Sequence, residues 1–419
     1  MKLKSRRYQF IFILFFVNAL LLNAQTELST SEILASAKDQ YLLELQRGRV
    51  DFLRENNPKL PLMDELEFRT ETNDFQVSEQ EYALRARFHT KDQQRAQANF
   101  NQAQIELKSI EEQILLNELL KERYVGIMEG MYFKQLLAAK NEEKLILEDR
   151  LVVLKKSVQL PKFDILDLID AEDELHSAER DILRLENSIA ENEAQILRWT
   201  NQLGTLSEND LQLIDIEEVM RVVRSVPQDP SINHASLIKR NLNIALATRE
   251  QAIRRAREEN SWEFFQARIG GTDDSGFRQS FTLGLGLRIP VRNQQEDDLI
   301  ALEYEKIDEK AKYEELQRAL KNQMAQIRTE IENQFRLYEL LGSQLEDNQA
   351  EEVLKQYQKI AGVSPLALLQ LRGNRFAKEL EQFRIKQDIY RLYIELLDAS
   401  GKMMEMPLRN YLMASLPQF

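Results

Sequence analysis

Two segments of this chain, residues 92–160 and 295–361, run without a single Pro and carry very few Gly, and each is followed by a Pro-containing turn. Within them apolar residues recur at spacings of three and four: Leu147, Leu151 and Leu154 in one, and Leu320, Met324, Ile327, Ile331, Phe335 and Tyr338 in the other. That spacing places an apolar seam on one side of a helix, for packing against neighbouring helices. At 1.5 Å per residue, helices of about 69 and about 67 residues each span roughly 100 Å. With 30% charged residues, 13 Gly and 9 Pro in 419 residues, the composition is that of long helices and not of a compact enzyme or a β-sandwich.

The chain is also duplicated. At a constant offset of 203 residues, Arg54-Glu55-x-Asn57 matches Arg257-Glu258-x-Asn260, Leu84-Arg85 matches Leu287-Arg288, and Leu166-x-Leu168 matches Leu369-x-Leu371. Each half reads as helix, strand pair, very long helix, tight turn, helix. The opening helices are expected over 31–57 and 231–260, and the closing helices over 164–203 and 364–400. In each half the opening and closing helices together hold about 67 residues, again roughly 100 Å, so they are expected to stack end to end beside the long helix. The division that follows is 1–24 leader, 25–204 first repeat, 205–230 connector, 231–401 second repeat and 402–419 tail.

Between opening and long helix the period changes from helical to alternating. Phe281, Leu283, Leu285, Leu287 and Ile289 fall on one face of a strand, and Thr282, Gly284, Gly286 and Arg288 on the other. In the first half Tyr82, Leu84, Ala86 and Phe88 oppose Arg85, Arg87 and His89. Their partners are less clean: one near residues 62–69, the other with Phe265, Ala267 and Ile269 against Gln266, Arg268 and Gly270. Residues 70–74 and 272–276 read as hairpin tips. This strand pattern, at equal positions in both halves, argues against a plain structural coiled coil.

The first 24 residues pair a basic start (Lys2, Lys4, Arg6, Arg7) with an apolar run from Phe10 to Leu22, the pattern of a signal peptide cleaved before Gln25; a retained anchor is the other reading. No later stretch can span a bilayer as a helix, so a membrane position must be taken as a barrel. Four strands of about ten residues cannot close one, and an open edge in lipid is forbidden, so strands from several chains must combine. Cys is absent, which excludes disulfides and thiolate metal sites. The formal charge is −13, or −17 without the four basic leader residues, an unfavourable balance for binding nucleic acid.

The repeated order of elements, the strand exit Leu285-Gly286-Leu287-Arg288-Ile289-Pro290-Val291, and the turn Ala361-Gly362-Val363-Ser364-Pro365-Leu366, matched by Asp164-Ile165-Leu166-Asp167, together resemble the outer membrane efflux protein family, the TolC-like channels. The resemblance covers nearly all of the chain beyond the leader. It implies a mainly α fold with a small β part: a long antiparallel helical bundle, or α-barrel, plus four strands per protomer completing a trimeric twelve-stranded transmembrane barrel. It also implies a homotrimer in the outer membrane extending into the periplasm, in contact with outer-membrane lipid, a periplasmic adaptor protein and an inner-membrane pump. The chain would then be the passive exit duct of a tripartite efflux system, with no cofactor. A type I protein-secretion duct uses the same shape, and a periplasmic adaptor or structural coiled-coil protein is the alternative from another class.

The chain departs from the family pattern. Arg87 stands where the second half has Pro290, and Gln159 where it has Gly362. Ala367 and Gln370 occupy the second-half positions where the family often carries gate acids. The acids sit on the first half, as Asp164 and Asp167. These two read either as helix capping or as an acidic ring at the closed periplasmic end of a tunnel. Arg85, Arg87 and Arg288, on the polar strand face, read as lining the barrel pore or as pairing with acids at its base, since a lipid-facing Arg at mid-membrane costs about 2–4 kcal/mol. Trp262, Phe264 and Phe265 read as membrane-interface aromatics or as packing at a helix–strand joint. Met403, Met404 and Met406 read as packing or tail residues rather than a Cu(I) site. Gly126 and Gly130 allow close helix approach. No nucleophile motif, phosphate loop or His/acid cluster at ligand spacing marks an enzyme.

Overall fold

The structure is a computed structural model that describes residues 26–72, 80–159, 163–201, 204–206, 213–230, 234–271, 279–287, 296–346 and 365–419. The leader, residues 73 and 74 of the first expected hairpin tip and all of the second, Arg288, Pro161, the end of the second expected long helix (347–360) and the turn residues 361–364 lie outside them; residues 70–72, expected in the first tip, belong to a strand. Among the described residues the chain forms six strands and eight α-helices, distributed over two compact units. These units cut across the duplication: each takes matching pieces from both repeats.

The first unit comprises Leu42–Ile114 and Ile232–Ala319. It contains most of helix α2 (Tyr41–Glu55), strands β2 (Met63–Thr72) and β3 (Gln80–Phe88), and the start of α3 (Lys91–Ser157). From the second repeat come α6 (Ala235–Glu258), β5 (Trp262–Gly271), β6 (Gln279–Leu287) and the start of α7 (Glu296–Glu346). The strands form one antiparallel sheet in the order β2-β3-β5-β6. The helices follow the same order. Arg47 of α2 pairs with Glu112 of α3 at 2.8 Å, and Arg249 of α6 donates to the Asn99 carbonyl of α3 at 2.9 Å. Arg240 and Asn243 of α6 bind Glu309 of α7, each at 3.1 Å.

The other unit holds the remaining described residues. A short parallel pair joins β1 (Thr26–Leu28) to β4 (Gly204–Leu206). Helix α1 (Thr30–Ala35) starts on a capping box in which Ser29 and Glu32 exchange bonds, which satisfies two orphan donors of its first turn. The antiparallel pair of α3 and α4 (Ile165–Thr200) carries a ladder of inter-helix ion pairs: Lys134–Glu193, Lys140–Asp181, Lys144–Glu179, Arg150–Glu174 and Lys155–Glu172. Gly126 of α3 lies beneath the Trp199 ring of α4, and a Cβ there would overlap it. The close approach expected of this glycine is used by an indole.

The connector contains a helix, α5 (Ile216–Ser225), whose Val219, Met220, Val222 and Val223 are buried. It packs on α8 (Pro365–Ser400), where the Tyr390 hydroxyl donates to the Ile214 carbonyl at 2.6 Å. The tail is packed as well: the Tyr124 hydroxyl donates to the Arg409 carbonyl at 2.7 Å, and the fully buried Asn410 amide donates to the Thr30 hydroxyl at 2.9 Å. Met403 is buried and Met406 is 77% exposed, so the three methionines do not share one environment.

The opening helix expected over 31–57 is instead two helices separated by a 3₁₀ turn, Ser36–Asp39, and an extended Gln40. The cause is a long-range partner. The side chain of Arg123, fully buried, donates to the Ser36 hydroxyl at 3.3 Å, the Gln40 side-chain oxygen at 2.8 Å and the Leu119 carbonyl at 3.0 Å. Gln40 reaches that guanidinium from an extended backbone, and the helix breaks there.

Candidate functional site

The four-stranded sheet is the element with an unusual surface. Cross-strand register places Leu66, Phe68, Tyr82, Leu84, Ala86, Phe265, Ala267, Ile269, Phe281, Leu283 and Leu285 on one face. Leu283 is 75% exposed, and Leu66, Phe68, Phe281 and Leu285 each exceed half exposure. A contiguous exposed apolar face of this kind marks a membrane or protein contact. Phe68 stacks on Tyr82 at 6.0 Å between centroids, and Trp262 stacks on Phe265 at 5.6 Å, while Phe88 meets Phe265 edge-on.

The opposite face is charged and internally paired. Arg87 pairs with Glu65 at 2.8 Å. Arg85 donates to the Gln266 side-chain oxygen at 3.0 Å and lies 3.8 Å from Glu67, which Arg69 holds at 2.7 Å. Arg268 joins Glu81 at 3.0 Å and Glu71 at 3.6 Å. Glu65, Glu67, Glu71 and Glu81 thus each meet an arginine, across strands for Arg85, Arg87 and Arg268 and along β2 for Arg69. Arg85 and Arg87 do pair with acids, one of the two roles expected of them, and Arg288 lies outside the described residues. The first repeat's edge strand is more regular than its sequence suggested. It extends to Thr72, and Glu65, Glu67, Arg69 and Glu71 alternate strictly with Leu66, Phe68 and Thr70. Glu65 and Glu67 opposite Arg87 and Arg85 were the legible signal of this lattice.

The aromatic trio at the foot of β5 is divided. A register shift between Trp262 and Phe264 brings Trp262 and Phe265 onto the apolar face together. Phe264 takes the charged face, where the Arg85 guanidinium sits 3.9 Å from its ring centroid and the ring covers Gly286. The three therefore do not form one belt. The sheet's outer strands, β2 and β6, each have a strand partner on one side only among the described residues.

Asp164 and Asp167 lie in the other unit, at the start of α4. The Asp164 carboxylate accepts from the Leu166 amide at 3.0 Å and caps the helix; Asp167 is exposed in the first turn, where the helix dipole favours an acid. The exposed apolar residues Val152, Val158, Ile165, Leu166 and Ile169 lie beside them on the ends of α3 and α4. Among the described residues, no cluster of His, Asp or Glu is placed to hold a metal, and no helix is long and apolar enough to cross a membrane.

No protein-family model matches the chain, and no curated protein matches it by sequence. Solved structures do match it across their length. The outer membrane protein VceC of Vibrio cholerae superposes with a TM-score of 0.66 at 14% identity, covering 89% of this chain and 96% of that one. The open-state MtrE outer membrane channel of Neisseria gonorrhoeae gives 0.65 at 14% identity, covering 89% and 88%. The outer-membrane channel OprN gives 0.63 at 13% identity, covering 89% of each chain. At these identities the likeness lies in the fold. The chain has the fold of the TolC-like outer membrane efflux channels.

Proposed function

We propose that three copies of this chain join their four-stranded sheets into a twelve-stranded barrel in the outer membrane, and that the chain is a passive exit duct, not an enzyme. The observation that carries this reading is the sheet itself, with an exposed apolar face, a charge-paired opposite face and two open edges. In lipid an open edge leaves backbone donors and acceptors unsatisfied at several kcal/mol each, so such a sheet is stable there only when closed. With the apolar face toward lipid, Trp262 and Phe265 stand at the membrane interface, and Arg85, Arg87 and Phe264 face the lumen.

The solved relatives in fold are outer membrane channels, which supports the location and the duct role. The acids Asp164 and Asp167, repeated three times around an axis, would concentrate negative potential at the periplasmic end and favour cations. The exposed apolar residues beside them suit docking of a periplasmic adaptor that links the duct to an inner-membrane pump. In this reading the leader is removed on export.

The test is fractionation followed by conductance. The protein should be found in outer-membrane fractions as a detergent-extracted trimer and should give small, cation-preferring currents in planar bilayers. A monomer that is soluble without detergent would end this reading.

A further inference from the structure

Away from the four-stranded sheet, the junction of α3, α8 and the connector leaves an open-sided cleft of about 470 Å³. That lies within the range of small-ligand sites, about 300–1,000 Å³. Helix α8 gives it one face: Phe383, Lys386, Gln387 and Tyr390, at i, i+3, i+4 and i+7. Tyr132 and Gln135 of α3 form a second wall, and Asp215 borders it from the connector. All of these residues belong to the unit that does not hold the four-stranded sheet.

One side of the cleft is aromatic. Tyr132 and Phe383 stack at 5.2 Å between centroids, with their planes 10° apart, and both rings stay half-buried. The lining also carries two opposite charges without partners. Among the described residues, the ion pairs of α8 join Arg375 to Glu379, Arg391 to Asp388 and Asp398 to Lys121, and none includes Lys386. The Lys386 ammonium lies 5.9 Å from the Tyr390 ring centroid, and the Tyr390 hydroxyl is engaged with the Ile214 carbonyl. Asp215 holds the N-cap position of α5, where an aspartate ordinarily accepts a bond from an amide of the first turn; its side chain makes no such bond. It has no ion pair among the described residues either, the one within α5 joining Arg221 to Glu218. Its field reaches α8: after burial, Asp215 is the next cause holding the Tyr390 hydroxyl above its ordinary pKa. Arg384 and Asp388, the charged groups that act on the Tyr132 hydroxyl, do not line the cleft.

We infer that this cleft binds a small aromatic zwitterion, of amino-acid or dipeptide size. Its carboxylate meets Lys386, its ammonium meets Asp215, and its ring lies against the Tyr132–Phe383 stack, extending an arrangement that aromatic rings favour. A ligand with one charge would satisfy one of the two groups and face the like charge of the other. A ligand carrying both signs leaves neither unpaired, and the cleft selects for it by that difference. The amides of Gln135 and Gln387 offer donors and acceptors to its remaining polar atoms. The cleft lies within one unit of one chain, so its occupancy does not depend on the barrel.

The experiment is calorimetric titration of the full-length, detergent-extracted protein with L-phenylalanine and with glycyl-phenylalanine, whose two charges stand closer together and farther apart. At least one of them should bind saturably. The N-acetylated form of that ligand, which lacks the ammonium, and its C-terminal amide, which lacks the carboxylate, should each bind about three- to tenfold more weakly. Lys386→Gln should lower affinity for the zwitterion by a similar factor and should not weaken binding of the amide. Asp215→Asn should do the same to the zwitterion and should not weaken binding of the N-acetylated form. Retained binding of the matched analogue shows that each variant's cleft is folded. No saturable binding of either zwitterion overturns the site, as it would if another copy or another segment covered the cleft. Losses that ignore which end of the ligand is blocked overturn the assigned roles of Lys386 and Asp215, and with them the selection for a zwitterion.

Discussion

The Arg85 guanidinium lies over the Phe264 ring, 3.9 Å from its centroid, and the same ring covers Gly286 on the adjacent strand. Three strands therefore meet in one stack on the charged face of the sheet, and Gly286 is where a side chain has no room. Gly286→Ala should push the ring off Arg85. The loss of a partly exposed cation–π contact costs about 0.5–1 kcal/mol, and crowding adds about 1–3 kcal/mol. The temperature at which the detergent-extracted protein loses its assembly should fall, while Gly284→Ala, whose Cβ would meet only Gln266 at an ordinary contact distance of 3.9 Å, should leave that temperature unchanged. Equal behaviour of the two variants would show that the stack contributes nothing.

Asp164 combines two roles that a pair of substitutions separates. Asp164→Ala removes both the cap on the Leu166 amide and the charge, and should destabilise the start of α4 by about 1 kcal/mol. Asp164→Asn keeps a capping oxygen and removes only the charge. If the acids set ion preference, both variants, and Asp167→Asn with them, should weaken cation selectivity in bilayer recordings. Unchanged reversal potentials would leave Asp164 as a cap alone.

Much of the fold was legible because its signals are periodic. The first long helix, the second as far as Glu346, the four strands and the order of elements follow from spacings within the sequence, and the strand boundary at Phe88 falls where the apolar alternation of that half ends. What was not legible depends on partners distant in sequence. Gln40 sits in a good helical pattern and leaves it because Arg123, 83 positions away, needs its oxygen. Phe264 and Phe265 are adjacent aromatics that only the register shift after Trp262 assigns to opposite faces. The helix in the connector was hidden because Ile216, Val219, Met220, Val222 and Val223 form a stripe too short to stand out beside helices several times its length.

Arg123 is a buried cation surrounded mainly by neutral acceptors. Its charged neighbour Glu122 stands 3.7 Å away and is half exposed, and the Trp199 ring lies 5.0 Å off. Burial lowers its pKa, against a smaller upward pull from Glu122, yet an arginine remains charged at any working pH. Removing it in Arg123→Ala leaves the half-buried Gln40 side-chain oxygen without its donor, at about 1–3 kcal/mol, and opens a void beside Trp199, while the Ser36 hydroxyl keeps its bond to the Ile33 carbonyl. We expect a lower urea midpoint and a red-shifted tryptophan emission. Arg123→Lys should recover only part of the loss, because an ammonium cannot reproduce the planar fork that reaches three acceptors. Full recovery by Lys would mean that charge alone is needed.

Glu309 gives the sheet-bearing unit a predictable response to acid. Burial pushes its carboxyl up, but the bonds from Asn243, Lys312 and Arg240 outweigh that and hold it below its ordinary value of 4.5. A carboxyl depressed in the fold binds fewer protons there than in the unfolded chain. Its contribution is therefore fully present above the unfolded value and is lost as the pH falls through the lower, folded one. At neutral pH Glu309→Gln should cost about 1–3 kcal/mol, since Arg240 and Asn243 lose a charged acceptor. Below about pH 4 the gap between variant and parent should narrow, because the parent carboxyl is then being protonated too. Urea midpoints of both proteins, compared from neutral pH down to about pH 3, read the effect directly. A gap that stays constant across the range would mean that Glu309 acts through its shape and not its charge.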